Sequence, residues 1–178
     1  MKTLIRKQML QTRKNLSYRE VESVGEMVFA NLLNIKEFVS AQSCFCYCDF
    51  KNEVQTTKIR EYFNDKTLYI PLIKGDVMYA VQKKGENFTF NGYGIEEPTE
   101  YEIITKSADI SIIPLVACDK NGNRIGFGKG YYDKYLKDKN TVKIGICYSW
   151  QIVEFIQKTT GDISLDYIVS EQEIIKVK

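Results

Sequence analysis

Apolar residues recur at helical spacing through Val21, Val24, Val28, Leu32 and Ile35. Ser17 and Glu20 precede them as a capping-box pair, so a helix with one core-facing stripe is predicted there. Upstream, Ile5, Met9 and Leu16, with Leu4, mark the apolar face of a basic helix over residues 2–15. Cys44, Phe45, Cys46, Tyr47 and Cys48 predict a first strand, residues 54–63 a helix, and residues 67–73 a second strand that Pro71 should push to an edge or a bulge. Residues 78–82 and 88–90 suggest a short hairpin, and Gly92, Gly94 and Pro98 a loop. Further strands are expected over 110–116, 142–147 and 167–169, with helices over 131–137 and 151–157. Strands alternating with helices predict an α/β, three-layer sandwich whose mostly parallel, Rossmann-like sheet binds ligands outside the carboxyl ends of its strands.

At 178 residues, the chain suits one domain over 1–178 that buries roughly 70% of its unfolded surface without disulfides. A hydrophobic content of 44% and a charged content of 27% are those of a folded soluble protein. The formal charge of +2 is too small to argue for nucleic acid. Lys2, Arg6, Lys7, Arg13, Lys14 and Arg19 nevertheless precede the first acid, Glu20. No apolar run is long enough for a membrane span and no secretory or transit pattern opens the chain, so a cytoplasmic monomer without membrane or nucleic-acid partners is expected.

The five cysteines lack metal-site spacing: Cys44, Cys46 and Cys48 would share one strand face, and Cys118 and Cys147 stand alone. Histidine is absent, which removes Ser-His-Asp, Cys-His and His-based zinc chemistry. Carboxylates, lysines, arginines and a bound metal remain to carry any reaction.

The stretch Asp119-Lys-Asn-Gly-Asn-Arg124-Ile125-Gly126-Phe127-Gly128-Lys129-Gly130-Tyr131-Tyr132-Asp133 follows an apolar run and enters a predicted helix. Alternating glycines leave N–H groups open, Arg124 and Lys129 add positive charge, and Asp133 offers a carboxylate for a nucleotide-bound magnesium. It is not a Walker A loop, because Asn123 and Gly130 stand where glycine and Ser/Thr are needed. Nor is it the dinucleotide fingerprint, since Tyr131 stands where the last glycine belongs. On residues alone, a ligand-free glycine turn also remains open, and Asp133 could merely complement a helix dipole.

The stretch resembles the signature of the 5-formyltetrahydrofolate cyclo-ligase (methenyltetrahydrofolate synthetase) family. The resemblance implies an ATP-binding set of Lys2, Arg6, Arg124, Ile125, Gly126, Phe127, Gly128, Lys129, Gly130, Tyr131 and Tyr132, with Lys129, Arg124 and Tyr131 catalytic. Lys2-Thr-Leu-Ile-Arg6 is similar to the family's amino-terminal motif, though cations on an exposed helix face are ordinarily just solvated. The segment from Tyr47 to Thr56 resembles the family's strand and Glu-x-x-Thr, which implies that Glu53 holds the pterin; a carboxylate opening a helix is the alternative. Cys48, Glu53, Tyr93, Phe127, Gly128, Lys129, Gly130 and Tyr131 form the implied substrate set. Asp162-Ile-Ser-Leu-Asp166 is similar to a family motif whose second aspartate, Asp166, would join Asp133 at magnesium.

This sequence departs from the family pattern at Glu96, Leu115, Cys118, Phe127 and Gly161, positions that bear on pocket shape. The implied reaction converts 5-formyltetrahydrofolate to 5,10-methenyltetrahydrofolate with ATP as cosubstrate and Mg2+ as cofactor. Tyr131 and the glycine loop are expected to close over the substrates with Gly128 as hinge. Two other classes are compatible with the same fold: a non-catalytic folate- or RNA-binding module, and an ATP-dependent ligase of another amide or carboxylate.

Overall fold

The computed structural model describes all residues except 86, 93 and 178, and residue 96 by its backbone alone. The chain begins with α1 (Lys2–Lys14), α2 (Tyr18–Leu32) and α3 (Lys36–Ser40), then enters β1 (Ser43–Cys46). The capping box forms as the sequence predicts: Ser17 Oγ accepts from Glu20 N, and the Glu20 carboxylate accepts from Ser17 N at 2.8 Å. A short α4 (Thr57–Tyr62) leads to β2 (Thr67–Lys74) and β3 (Val77–Lys83), followed by β4 (Phe88–Phe90), β5 (Glu96–Pro98) and β6 (Tyr101–Ile104). Next come β7 (Ile110–Ile113), β8 (Ala117–Asp119), β9 (Arg124–Ile125) and α5 (Tyr131–Leu136). The chain closes through β10 (Val142–Ile146), β11 (Ile152–Val153), β12 (Tyr167–Val169) and β13 (Ile174–Lys176).

The large sheet runs β13-β12-β10-β7-β1-β2-β3-β6. Its centre, from β12 to β2, is parallel, while β13, β3 and β6 join antiparallel. Register sets the layers. Cys44, Ile110 and Val142 stand abreast, as do Cys46, Ile112 and Ile144, so alternate residues of each strand share a face. One face packs Cys44, Cys46, Ile110, Ile112 and Ile144 against Val28, Leu32, Phe38, Ile59 and Phe63 of α2 to α4 and their ends. On the other, α5 sets Leu136 and Tyr135 against residues such as Ile113, Ile168 and Phe45. This is the expected three-layer α/β sandwich.

Several local expectations change. Pro71 sits in an internal strand, but β1 pairs with β2 only through Tyr69, so by Pro71 the strand is bonded to β3 alone and is locally an edge, where proline is tolerated. The expected hairpin re-pairs: β3 lies between β2 and β6, and β4 pairs with β5. The helix expected over 151–157 is absent. Ile152 and Val153 extend β8 instead, and Ile156 N donates to the buried Asp119 carboxylate at 2.8 Å. Leu4 is exposed, while Ile5, Met9 and Leu10 seat α1 on Val116, Ala117 and Ile125. Among the described residues no helix is long and apolar enough to cross a membrane, and the cysteines form no disulfide.

Candidate functional site

Asp119 shapes the approach to the glycine loop. Its fully buried carboxylate accepts from Asn121 N and Asn123 N, both at 3.0 Å, and from Asn123 Nδ2 at 2.9 Å. Gly122 turns there at φ 82°, where a Cβ would lie 2.8 Å from the Leu165 carbonyl oxygen, so only glycine fits. The turn aims β9 back along β8, with Cys118 beside Arg124, and delivers Gly126 to Gly130 beyond the strand ends. Gly128 at φ 103° and Gly130 at φ 69° take left-handed backbone that opens the loop before α5. Because α5 has only six residues, an anion at this loop would depend on loop N–H groups and side-chain cations more than on a long macrodipole.

Three cations converge on this loop. Arg6 Nε donates to the Gly126 carbonyl at 2.9 Å, and a Cβ on Gly128 would meet the Arg6 guanidinium carbon at 3.6 Å. One turn earlier on α1, Lys2 Nζ donates to Asp162 Oδ2 at 2.6 Å and to Thr159 Oγ1 at 3.3 Å. Arg124 is buried against Asp133, with Nη2 3.0 Å from Oδ1, and its guanidinium carbon stands 6.0 Å from the centre of the Tyr132 ring. Burial lowers the proton affinity of Arg124 most strongly, while the charges of Asp133 and Asp162 act the other way. Among the described residues the buried Arg124 Nε has no hydrogen-bond partner. Lys129 projects from the loop exposed, and the Tyr131 hydroxyl donates to the Gly75 carbonyl at 3.4 Å.

The second half of the site is the turn after β1. Lys51 and Asn52 both adopt positive φ, a conformation stabilised by Asn52 Nδ2 donating to the Arg13 and Leu16 carbonyls at 3.1 Å each. Those bonds tie the turn to the carboxyl end of α1 and the residues just beyond it, and bring Glu53 beneath Arg13. Glu53 Oε2 accepts from Phe50 N at 2.9 Å, and Oε1 lies 3.9 Å from Arg13 Nη1, too far for a hydrogen bond. Burial pushes the Glu53 pKa up to about 7, against the pull of the Arg13 charge and the Phe50 N–H. The Phe127 ring from the glycine loop lies against the Arg13 guanidinium at 5.1 Å. Glycine loop and Glu53 thus meet at Arg13.

The other expected residues fall as follows. Cys48 is buried beside Ile70, Leu72 and Val81, beyond the end of β1. Tyr93 lies outside the described residues. Leu115 and Cys118 are core residues around Leu136 rather than pocket walls. Asp166 stands before β12, where its Oδ2 accepts from Lys143 N at 2.7 Å, and Asp133 Oδ1 accepts from Arg124 and from Ile163 N at 3.1 Å. The charge of Asp162, at the other end of the same short segment, reaches Arg124. The sequence reading missed Arg13 and Asp162. Spacing held the signal for the first, because Lys2, Arg6 and Arg13 recur on one helical face.

Among the described residues no group of three or more acidic or cysteine side chains gathers to hold a metal. Mg2+ takes one or two carboxylates and completes its shell with phosphate oxygens and water. Asp133, beside the loop, fits that role.

A sequence profile of the 5-formyltetrahydrofolate cyclo-ligase family matches residues 1–171. The chain is 32% identical over 177 residues to the 5-formyltetrahydrofolate cyclo-ligase of Mycoplasma pneumoniae, covering 96% of this chain and 99% of that protein. It is 28% identical over 173 residues to the one from Haemophilus influenzae, covering 90% and 92%. Among solved structures, the 5,10-methenyltetrahydrofolate synthetase of Aquifex aeolicus superposes with a TM-score of 0.88 at 32% identity, covering 99% of this chain and 93% of that one.

Proposed function

The chain belongs to the 5-formyltetrahydrofolate cyclo-ligase family, a family of ligases, and from that premise we propose that it closes 5-formyltetrahydrofolate to 5,10-methenyltetrahydrofolate at the expense of ATP. The formyl carbon resists attack by nitrogen 10 because its oxygen is a poor leaving group. Transfer of the γ-phosphoryl to that oxygen makes it one, after which nitrogen 10 closes the ring and phosphate departs. Such a transfer needs positioning and charge neutralisation rather than a protein nucleophile, which suits a chain without histidine.

The observation that carries this reading is the docking of α1 on the glycine loop, with Arg6 on the Gly126 carbonyl and Lys2 a turn away on Asp162. These cations, with Arg124, Lys129 and the loop N–H groups, would bind the triphosphate and neutralise charge as the phosphoryl group moves. Asp133 would hold Mg2+ together with the phosphates, and the ion would supply further neutralisation of the phosphate oxygens. Glu53 would accept from the pterin, and alignment of nitrogen 10 against the activated formyl group can contribute about 7 kcal/mol or more through proximity. Tyr131 and Phe127, on a loop with left-handed glycines, would close over the pair and exclude water that would hydrolyse the activated ester.

Incubating the protein with 5-formyltetrahydrofolate, ATP and Mg2+ tests the reading. Methenyl absorbance should rise with stoichiometric release of ADP and phosphate. No rise, or a rise without ATP, would rule the proposal out.

A further inference from the structure

The Arg13–Glu53 pair is an unusual thing to bury. Both residues are at least nine-tenths buried, at 3% and 7% exposure, yet their closest polar atoms stand 3.9 Å apart. Arg13 Nη1 has no hydrogen-bond partner among the described residues, and a buried donor left unmade is costly. Meanwhile Glu53 uses Oε2 on Phe50 N, so Oε1 is the oxygen that faces Arg13. Two neighbouring groups, one an obligate donor and one an acceptor, are therefore held side by side without satisfying each other. They are complementary to a ligand edge that carries an acceptor next to a donor.

We propose that Arg13 is a specificity-determining residue that donates from Nη1 to the 4-oxo oxygen of the pterin while Glu53 accepts from the adjacent N3–H and 2-amino group, so that the pair selects 4-oxo over 4-amino heterocycles. This rests on the cyclo-ligase reading above. The 2-amino-4-oxo edge presents donor, donor and acceptor in order, and the carboxylate and guanidinium match all three. A 2,4-diamino ring places an amino group where the carbonyl was and leaves N3 without its proton, so donor faces donor at Arg13, whose N–H remains unpaired, and acceptor faces acceptor at Glu53. Sites built to bond a polar group discriminate strongly against an analogue that lacks it, because the buried partner is then left open.

The pair is fixed before any ligand arrives. Asn52 ties the Glu53 turn to the carbonyl of Arg13 itself, Phe127 lies against the guanidinium, and Tyr148 donates its hydroxyl to the Asn52 carbonyl at 3.0 Å. Burial of Glu53 favours its neutral form, and the Arg13 charge opposes that, so the guanidinium also keeps the carboxylate available as an acceptor.

The test is binding of 5-formyltetrahydrofolate and of its 4-amino-4-deoxy analogue to the full chain, measured by calorimetry for the wild type, Arg13→Met and Arg13→Lys. Wild type should prefer the 4-oxo ligand by about tenfold or more. Arg13→Met should lose about 10- to 100-fold in affinity for it, change little toward the 4-amino analogue, and so lower the ratio by about the same factor, leaving only the preference that Glu53 exerts through N3–H. Arg13→Lys, which keeps a donor, should retain part of the preference. A wild type that binds both ligands equally overturns the inference without any variant, and so does a folded Arg13→Met that keeps the wild-type ratio. Should the wild type bind neither ligand and form no methenyl product, the cyclo-ligase reading itself fails; turnover with an unaltered ratio removes only the role of Arg13.

Discussion

Replacing Glu53 by Gln should stabilise the fold at alkaline pH while abolishing pterin binding. Burial raises the carboxyl pKa from its ordinary 4.5 to about 7, so the contribution of Glu53 is most favourable below 4.5, where folded and unfolded chains are both protonated. That contribution is lost as pH rises through about 7, because the unfolded chain releases the proton first. At about 1.4 kcal/mol per pH unit, the gap makes the ionised carboxylate cost about 3 kcal/mol at pH 8. Attraction by Arg13 at this separation is worth about 4 kcal/mol at an effective dielectric near 20, so desolvation must exceed it for the pKa to stand where it does. Glutamine keeps an acceptor for Phe50 N and carries no charge. Urea unfolding of both proteins at about pH 5 and about pH 8 should therefore show the stability difference, variant minus wild type, growing by about 3 kcal/mol with pH. A difference that is flat, or that turns against the variant at high pH, would mean that the Arg13 attraction outweighs desolvation and that the reasoning is wrong.

Lys129→Met should lower kcat by a factor of about 100 or more while folate affinity, read by calorimetry, stays close to wild type; unimpaired turnover would remove the lysine from the phosphoryl-transfer machinery. Arg124→Met strands Asp133 beside the loop and removes a buried ion pair, so urea unfolding should show a loss of about 3 kcal/mol and nucleotide affinity should fall. Gly130→Ala meets no atom within 4 Å but must hold φ 69°, so it should cost about 1–2 kcal/mol of backbone strain, seen as a lower Tm, and reduce kcat through the loop.

The parallel centre of the sheet was legible because its strands are short, largely apolar runs, Cys44 to Cys46, Ile110 to Ile113 and Val142 to Ile146, broken only by Ser111 and by Lys143 and Gly145, as a strand buried on both faces requires. The glycine loop was legible for a similar reason, since left-handed backbone at Gly128 and Gly130 leaves a mark in residue type. What escaped depends on partners distant in sequence. Ile152, Val153 and Ile156 carry a spacing compatible with a helix, and only β8 and the Asp119 carboxylate, more than thirty positions earlier, hold them extended. The same applies to β3, whose partner across the sheet is β6 rather than the nearer β4.

Helix α1 links the two halves of the site through one rigid element. About 16 Å of helical rise separates Lys2, at the Asp162 end, from Arg13, beside Glu53. Arg6 lies between them and holds the loop backbone, while Phe127 of that loop returns to Arg13. Each residue step along a helix turns a side chain by about 100°, so the three cations can face one way only at spacings such as these. The apolar residues Ile5, Met9 and Leu10 fix the helix rotation by packing on Val116, Ala117 and Ile125, at the foot of the same β8–β9 unit that launches the glycine loop. Loop, helix and Glu53 turn therefore share one mechanical reference. Three of the six basic residues at the start of the chain, Lys2, Arg6 and Arg13, follow from that arrangement: a single helix carries positive charge both toward the glycine loop and to the carboxylate at its far end.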